Sequence, residues 1–445
     1  MRCPALLISA PASGQGKTTV TAALARLLAR RGMRVQVFKN GPDFVDPGWH
    51  ALASGRPVHN LDLWMTGERD IRARLHQAAQ TADIILIEGM AGLHDGTPSN
   101  ADLARLLGIP VLVVMQAGAM AHTLAAVVQG LRDFGSQAQD PLPWAGVLAN
   151  GVASVGHADL LRGALRSDDG WLGHLPTSDA LHVPERQLGL TAAGDLPGVD
   201  GLARLDAAAD LLQDTPLGQM GPGDWAARWG VDFQAPEAAA TPCPPLLDGL
   251  RIALAHDAAF RFVYAANLDL LQQLGAHLLV FSPLAGEALP DCDALWLPGG
   301  HPELHAARLA QRTGLTAQIQ AHAAAGRPIW AEGGGMMVLT EALVDAQGQE
   351  HPMWSLLPGR AVMQTRLAGL GLQQWQPQAD MPVLRGHAFH YGRVEGLGVP
   401  SAHTEMAPGS LRAEGEAIWR QGPLRASWFH PWFASAPEAA ALLFQ

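Results

Sequence analysis

The chain opens on a short apolar run, residues 5–9. A glycine-rich loop follows over 10–16, then Val20, Leu24, Leu27 and Leu28 at the spacing of an amphipathic helix. The same alternation continues: residues 35–38, 84–87, 110–115 and 145–148 read as further strands and 69–79 as a helix among them. Strands that alternate with helices imply a parallel sheet with right-handed crossovers. Around 235–245 the text APEAAATPCPP loses its period and gains proline, which marks a linker. Beyond it the pattern restarts, with strands predicted at 251–255, 277–281, 294–297 and 328–331 and helices over 263–274 and 303–324. From about residue 352 the alternation is looser, and 386–391 and 426–433 read as strand-edge or loop sites. The expected fold is α/β throughout, a nucleotide-binding parallel sheet over 1–234, a linker over 235–248 and a second α/β domain over 249–445.

A length of 445 residues suits two cores, and 48% hydrophobic with 16% charged residues suits a folded chain without a membrane span. The net charge of −11 argues against a nucleic acid as partner. Cys3, Cys243 and Cys292 show no C-x-x-C spacing, so neither a zinc site nor a disulfide framework is expected, and a cytoplasmic setting fits. The apolar start is too short for a cleaved leader. Of the 30 lysines and arginines only Lys17 and Lys39 are lysine, and both fall in motifs.

The first motif is Ser13-Gly14-Gln15-Gly16-Lys17-Thr18-Thr19, between a strand and a helix. Backbone N–H groups of such a loop cradle phosphates, Lys17 neutralises their β and γ oxygens, and the Thr18 hydroxyl binds Mg²⁺. Pro11 stands where the strict pattern has glycine. A second motif ends the strand 84–87 with Glu88-Gly89, followed by Gly92-Leu93-His94-Asp95-Gly96. An acidic residue at the carboxyl end of a parallel strand points into the ligand crevice, where it serves as a Mg²⁺ ligand or base; a turn carboxylate is the alternative. The third is Lys39 to Pro47, which places Asp43 and Asp46 beside a lysine in a loop shaped by Gly41 and Pro42. Cations, Mg²⁺ and carboxylates are the inventory of phosphoryl transfer from ATP.

Together APASGQGKTT, FKNGPDFVDPGWH, NLDLWM (60–65), EGMAGLHDG and PERQLGL (184–190) resemble the cobyrinate a,c-diamide synthase family of cobalamin biosynthesis, over nearly the whole chain. The resemblance implies a first domain similar in fold to dethiobiotin synthetase. It also implies ATP- and Mg²⁺-dependent amidation of the a and c acetates of cobyrinic or hydrogenobyrinic acid, through acyl phosphates attacked by ammonia. Lys39 and Asp46 become catalytic, with Thr18, Asp46 and Glu88 on the metal. Asp43, Phe44, His50, Asn60, Asp62, Trp64 and Arg186 become contacts of the tetrapyrrole polycarboxylate, and Asn150, expected to end the last strand of the domain, reads the adenine. Phe44 and His301 replace usual tyrosines and His256 a common arginine, which leaves open another macrocycle such as Ni-sirohydrochlorin.

In the second domain Ile329-Trp-Ala-Glu-Gly333-Gly334-Gly335 resembles the nucleophile elbow of a class I glutamine amidotransferase, with Gly299 and Gly300 as oxyanion donors alongside Gly334 and with His430 as base. In the family a cysteine occupies the place of Gly333. A histidine with no nucleophile to activate does not hydrolyse an amide by covalent catalysis, so glutaminase activity is expected to be very low. An engineered substitution and a natural variant that takes free ammonia both account for Gly333. Two other readings stay open: a P-loop switch ATPase with an interaction module, and a second domain that only binds glutamine or is purely structural. A homodimer is also left open.

Overall fold

The computed structural model describes residues 1–135, 140–181, 185–186, 189–190, 200–235, 243–410 and 412–445. The chain divides into two units, 1–239 and 240–445. In the first, β1 (Arg2–Ser9), β2 (Val35–Asn40), β3 (His59–Leu61), β4 (Ile84–Glu88), β5 (Val111–Gln116), β6 (Trp144–Val152) and β7 (Trp171–Pro176) lie in the order β3-β2-β4-β1-β5-β6-β7. Every pair along that order is parallel. Alternate side chains of a strand leave opposite faces of a sheet. Accordingly Leu7, Ile85, Ile87 and Val113 enter one buried cluster while Leu6, Ile8, Leu86 and Val114 enter another, which is why the central runs of these strands are apolar without alternation. The crossovers include α1 (Lys17–Arg30), α2 (Asp46–Ser54), α3 (Gly67–Thr81) and α4 (Asn100–Leu107). The strand order sets β2, β4 and β1 side by side, so the chain segments leaving their carboxyl ends converge.

One expectation needs correction here, and one falls partly outside the described residues. Asn150 lies inside β6, and β7 follows, so it does not end the last strand. Residues 184 and 187–188 of the PERQLGL motif lie outside the described residues; Glu185–Arg186 pairs antiparallel with Gly189–Leu190, and the Arg186 side chain is not among those described.

The second unit is built on a sheet in the order His277–Phe281, Arg251–Ala255, Ala294–Leu297, Ile329–Glu332, Leu424–Ser427, Ala417–Gln421 and Ala402–His403. It is parallel through Leu424–Ser427 and antiparallel beyond. The looser stretch forms two small four-stranded sheets, and Leu384–His390 pairs with His430–Trp432. The helix expected over 303–324 is three pieces, Pro302–His305, Ala306–Ala310 and Thr313–Ala324. The break falls at Arg312, whose backbone leaves the helical region while its guanidinium donates to the Leu284 carbonyl. Among the described residues no helix is long and apolar enough to cross a membrane.

Candidate active site

In the first unit the phosphate loop runs from β1 into α1. Gly16 is at φ 93°, a conformation that favours glycine, and a Cβ there would also push aside the Asn150 amide, 2.5 Å away. Lys17 is nearly buried and donates to the Ala12 carbonyl at 3.2 Å. Burial lowers its pKa, and Glu88 offsets part of the effect.

Pairing of β2 with β4 sets Lys39 opposite Glu88, and pairing of β1 with β4 sets Ile8 opposite Glu88. The Lys39 ammonium lies 2.5 Å from Asp46, 3.1 Å from Glu88 and 3.9 Å from Asp43. Burial disfavours its charge, but the three carboxylates outweigh burial and raise its pKa. Glu88 is fully buried, which by itself would favour the neutral acid. Lys39 and His50, with hydrogen bonds from His50 and Thr18, hold it below the usual carboxylate range instead. Asp43 is pushed the other way, upward, by burial and the neighbouring Asp46.

The side chains assigned to the macrocycle divide. His50 is completely buried and bonded to Glu88, and the Asn60 amide donates to the Gly41 and Asp43 carbonyls at 2.9 Å. In this structure the two side chains are thus engaged in holding Glu88 and the 41–43 loop. Asp43 accepts from the Val45 and Asp46 N–H groups, and Asp62 from those of Trp64 and Met65, so each carboxylate also builds its own turn. Burial raises the Asp62 pKa. Phe44 and Trp64 are half-buried. The Asn150 amide donates to the Gln15 carbonyl at 3.1 Å and so braces the phosphate loop.

Among the described residues no three His, Cys, Asp or Glu side chains form a ready-made metal cage. Mg²⁺ needs less, because it is commonly bound by one or two carboxylates together with substrate phosphates. The Thr18 hydroxyl, which donates to Glu88 at 2.7 Å beside the phosphate loop, makes with that carboxylate a hard oxygen pair that fits the ion. Asp46, the third expected ligand, is the counter-ion of Lys39.

Asn100 was missed in the sequence. Its amide donates to the Met90 and Gly92 carbonyls, and its oxygen accepts from the Met90 N–H and the Asn40 amide, clamping the loop that leaves Glu88. The visible signal was the Ser99-x-x-Asp102 capping box that starts α4.

In the second unit Gly333 sits at φ 52°, ψ −120° between the strand Ile329–Glu332 and a short helix. A Cβ on it would lie 2.7 Å from His430 Nε2. That backbone is strained for any residue with a side chain and is what an elbow requires. Gly334 packs against the Gly300 backbone, and the Gly299 carbonyl accepts from the Phe262 N–H at 2.9 Å. The His430 Nδ1 is 2.9 Å from Glu332, a residue the sequence reading left without a role. His387 stacks on His430 with ring centroids 5.3 Å apart and bonds through Nδ1 to the Tyr264 hydroxyl. Burial holds the thiols of Cys3, Cys243 and Cys292 above their ordinary pKa, so none is an activated nucleophile.

Residues 6–190 match the CobQ/CobB/MinD/ParA nucleotide binding domain, and residues 251–437 match the CobB/CobQ-like glutamine amidotransferase domain. Hydrogenobyrinate a,c-diamide synthase of Stutzerimonas stutzeri is 50% identical over 100% of this chain and 99% of its own. Its namesake in Pseudomonas aeruginosa is 50% identical over 99% of this chain and 97% of its own. Cobyrinate a,c-diamide synthase of Herminiimonas arsenicoxydans is 46% identical over 99% of this chain and 96% of its own. Matched end to end by such relatives and carrying both domains in order, the chain belongs to the hydrogenobyrinate and cobyrinate a,c-diamide synthase family.

Proposed function

We propose that this chain is an ATP-dependent carbon–nitrogen ligase that turns the a and c acetate carboxylates of hydrogenobyrinate or cobyrinate into primary amides. The observation that carries the reading is the buried network of Lys39, Asp46, Glu88 and Thr18 beside the phosphate loop. It gathers at one place the cation, carboxylates and hydroxyl that phosphoryl transfer uses. An acetate oxygen attacks the γ-phosphorus, the bond to ADP breaks, and an acyl phosphate forms. Lys17 and the loop N–H groups hold the phosphates, while Lys39, fixed by Asp46, neutralises charge on the transferred group. Thr18 and Glu88 would hold Mg²⁺, which supplies further stabilisation of that charge. Ammonia then adds to the acyl carbon, the bond to phosphate breaks, and the nitrogen gives up a proton to leave the amide and inorganic phosphate. Phe44, Asp43, Asp62, Trp64 and Arg186 are the candidates for macrocycle contact.

The nitrogen source follows from Gly333. With no side chain there, His430 has nothing to activate, and Gly299, Gly300 and Gly334 have no acyl intermediate to stabilise. Free ammonia serves as donor for the chain as it stands. The test incubates each macrocycle with ATP, Mg²⁺ and either ammonium or glutamine, and reads product mass. Two carboxyl-to-amide conversions with ammonium and background conversion with glutamine are expected, and Gly333→Cys should raise glutamine use by about three orders of magnitude. Absence of amidation of either macrocycle with ammonium would remove the ligase assignment, and equal glutamine use with and without the introduced thiol would remove the reading of Gly333.

A further inference from the structure

We propose that Glu332 is the positioning acid of His430: it binds the imidazole at Nδ1 and thereby aims Nε2 at position 333. The inference rests on reading positions 333 and 430 as the glutaminase centre, and it adds a residue to that centre. Glu332 ends the strand Ile329–Glu332 and is 2% exposed, so its carboxylate must find partners inside the protein. It has three. Oε2 is bonded to His430 Nδ1 at 2.9 Å, while Oε1 accepts from the indole N–H of Trp296 at 2.6 Å and of Trp330 at 3.2 Å. Trp296 and Trp330 are register partners on adjacent strands, so the two donors are held by the sheet itself. An indole N–H only donates, so both indoles orient Oε1 as an acceptor and leave Oε2 directed at the imidazole.

The imidazole has little freedom of its own. His430 is 3% exposed, lies in register with His387 across its strand pair, and is stacked by that ring. His387 in turn is bonded through Nδ1 to the Tyr264 hydroxyl at 2.8 Å, and His301, paired with Glu303, stands on the other side of Phe262, whose ring contacts His430. The strand that carries His430 does not supply an acid, since Pro431 and Trp432 follow it. With Nδ1 engaged by Glu332, the opposite edge of the ring, Cε1 and Nε2, faces position 333 so closely that a Cβ there would make the imidazole shift slightly, and Nε2 is the nitrogen on that edge. A carboxylate on the far nitrogen selects that tautomer and stabilises the imidazolium formed when a proton is taken from a nucleophile.

The experiment uses the full-length Gly333→Cys variant, alone and combined with Glu332→Gln or Glu332→Asp. Iodoacetamide alkylation of the introduced thiol is followed against pH by peptide mass, with the parent chain as the control for Cys3, Cys243 and Cys292. Glutamine-supported amidation is measured in parallel. With Glu332 present, the thiol should alkylate with a midpoint below that of an ordinary cysteine. Glu332→Gln should raise the midpoint by about one pH unit or more and lower kcat with glutamine by about 10²-fold, with KM changed little. Glu332→Asp keeps the charge on a shorter arm and should fall between; it carries the test if the Gln variant does not fold. An unchanged midpoint in these variants overturns the proposal, whatever the glutamine rate. A midpoint that depends on Glu332 in a protein that still ignores glutamine upholds the positioning role and removes the glutaminase reading instead.

Discussion

Lys39 is held by three carboxylates in a buried site, and its removal would leave them without the one cation they share at contact distance among the described residues. Breaking a buried charge network by deleting one partner costs about 3–5 kcal/mol. Lys39→Ala should therefore lower the unfolding free energy by about that amount and abolish amidation with ammonium, as read by urea titration and product mass. A stable variant with normal turnover would show that the network is not the reaction centre. His50 acts one step further back. It reaches the site only through Glu88, so His50→Leu should reduce kcat by about 10- to 100-fold, typical of losing a partner that orients a ligand, with the KM for ATP changed only a few-fold. A large rise in that KM with kcat intact would instead place His50 in nucleotide binding.

At the scale of elements, the loop between β4 and α4 carries the chemistry but is shaped from outside itself. Ala91 holds φ 52° in it, a costly conformation for a residue with a Cβ, and the Asn100 side chain satisfies the backbone on both sides of it. Asn100→Ala should leave the Met90 and Gly92 groups without these partners, at a cost of about 1–3 kcal/mol. The expected outcome is faster amide hydrogen exchange over 89–96 and a raised KM for the macrocycle, while the exchange of β1 and β4 stays as it was. Unchanged exchange over 89–96 would mean that the loop is held by its own geometry.

At the scale of the whole molecule, a histidine buried against His430 ties stability to pH. His387 is 4% exposed, and its pKa lies well below 6.5 because of burial first and the neighbouring His430 second. Its folded pKa is depressed, so the unfolded chain binds the proton more readily. The contribution of His387 is then fully present above pH ~6.5 and is lost as the pH falls toward the folded value. Lowering the pH from 7.5 to 5.5 should therefore reduce the unfolding free energy by roughly 1 kcal/mol through this one group, a loss that His387→Gln should not show. Equal pH slopes in the two proteins, measured by urea unfolding, would show that His387 takes its proton in the folded state.

What could be read from the sequence alone was whatever is local in the chain. The unbroken apolar runs of β1, β4 and β5 marked strands buried on both faces, the glycines and Lys17 after β1 marked a phosphate loop, and Glu332 to Gly335 marked an elbow, because spacing and backbone conformation are set within a few residues. The family resemblance was carried by the same contiguous motifs. What only the tertiary structure decided was which distant side chains meet. His50 and Asn60 stand in motifs that suggest substrate contact, yet the packing of α2 and β3 brings their side chains to Glu88 and to the carbonyls of the 41–43 loop. Asn100 and Glu332 acquire their partners across sheet neighbours and loop crossings, where sequence separation carries no information about distance. The break at Arg312 is likewise accompanied by a bond to a carbonyl 28 residues away, a contact that the helical period within 303–324 does not encode.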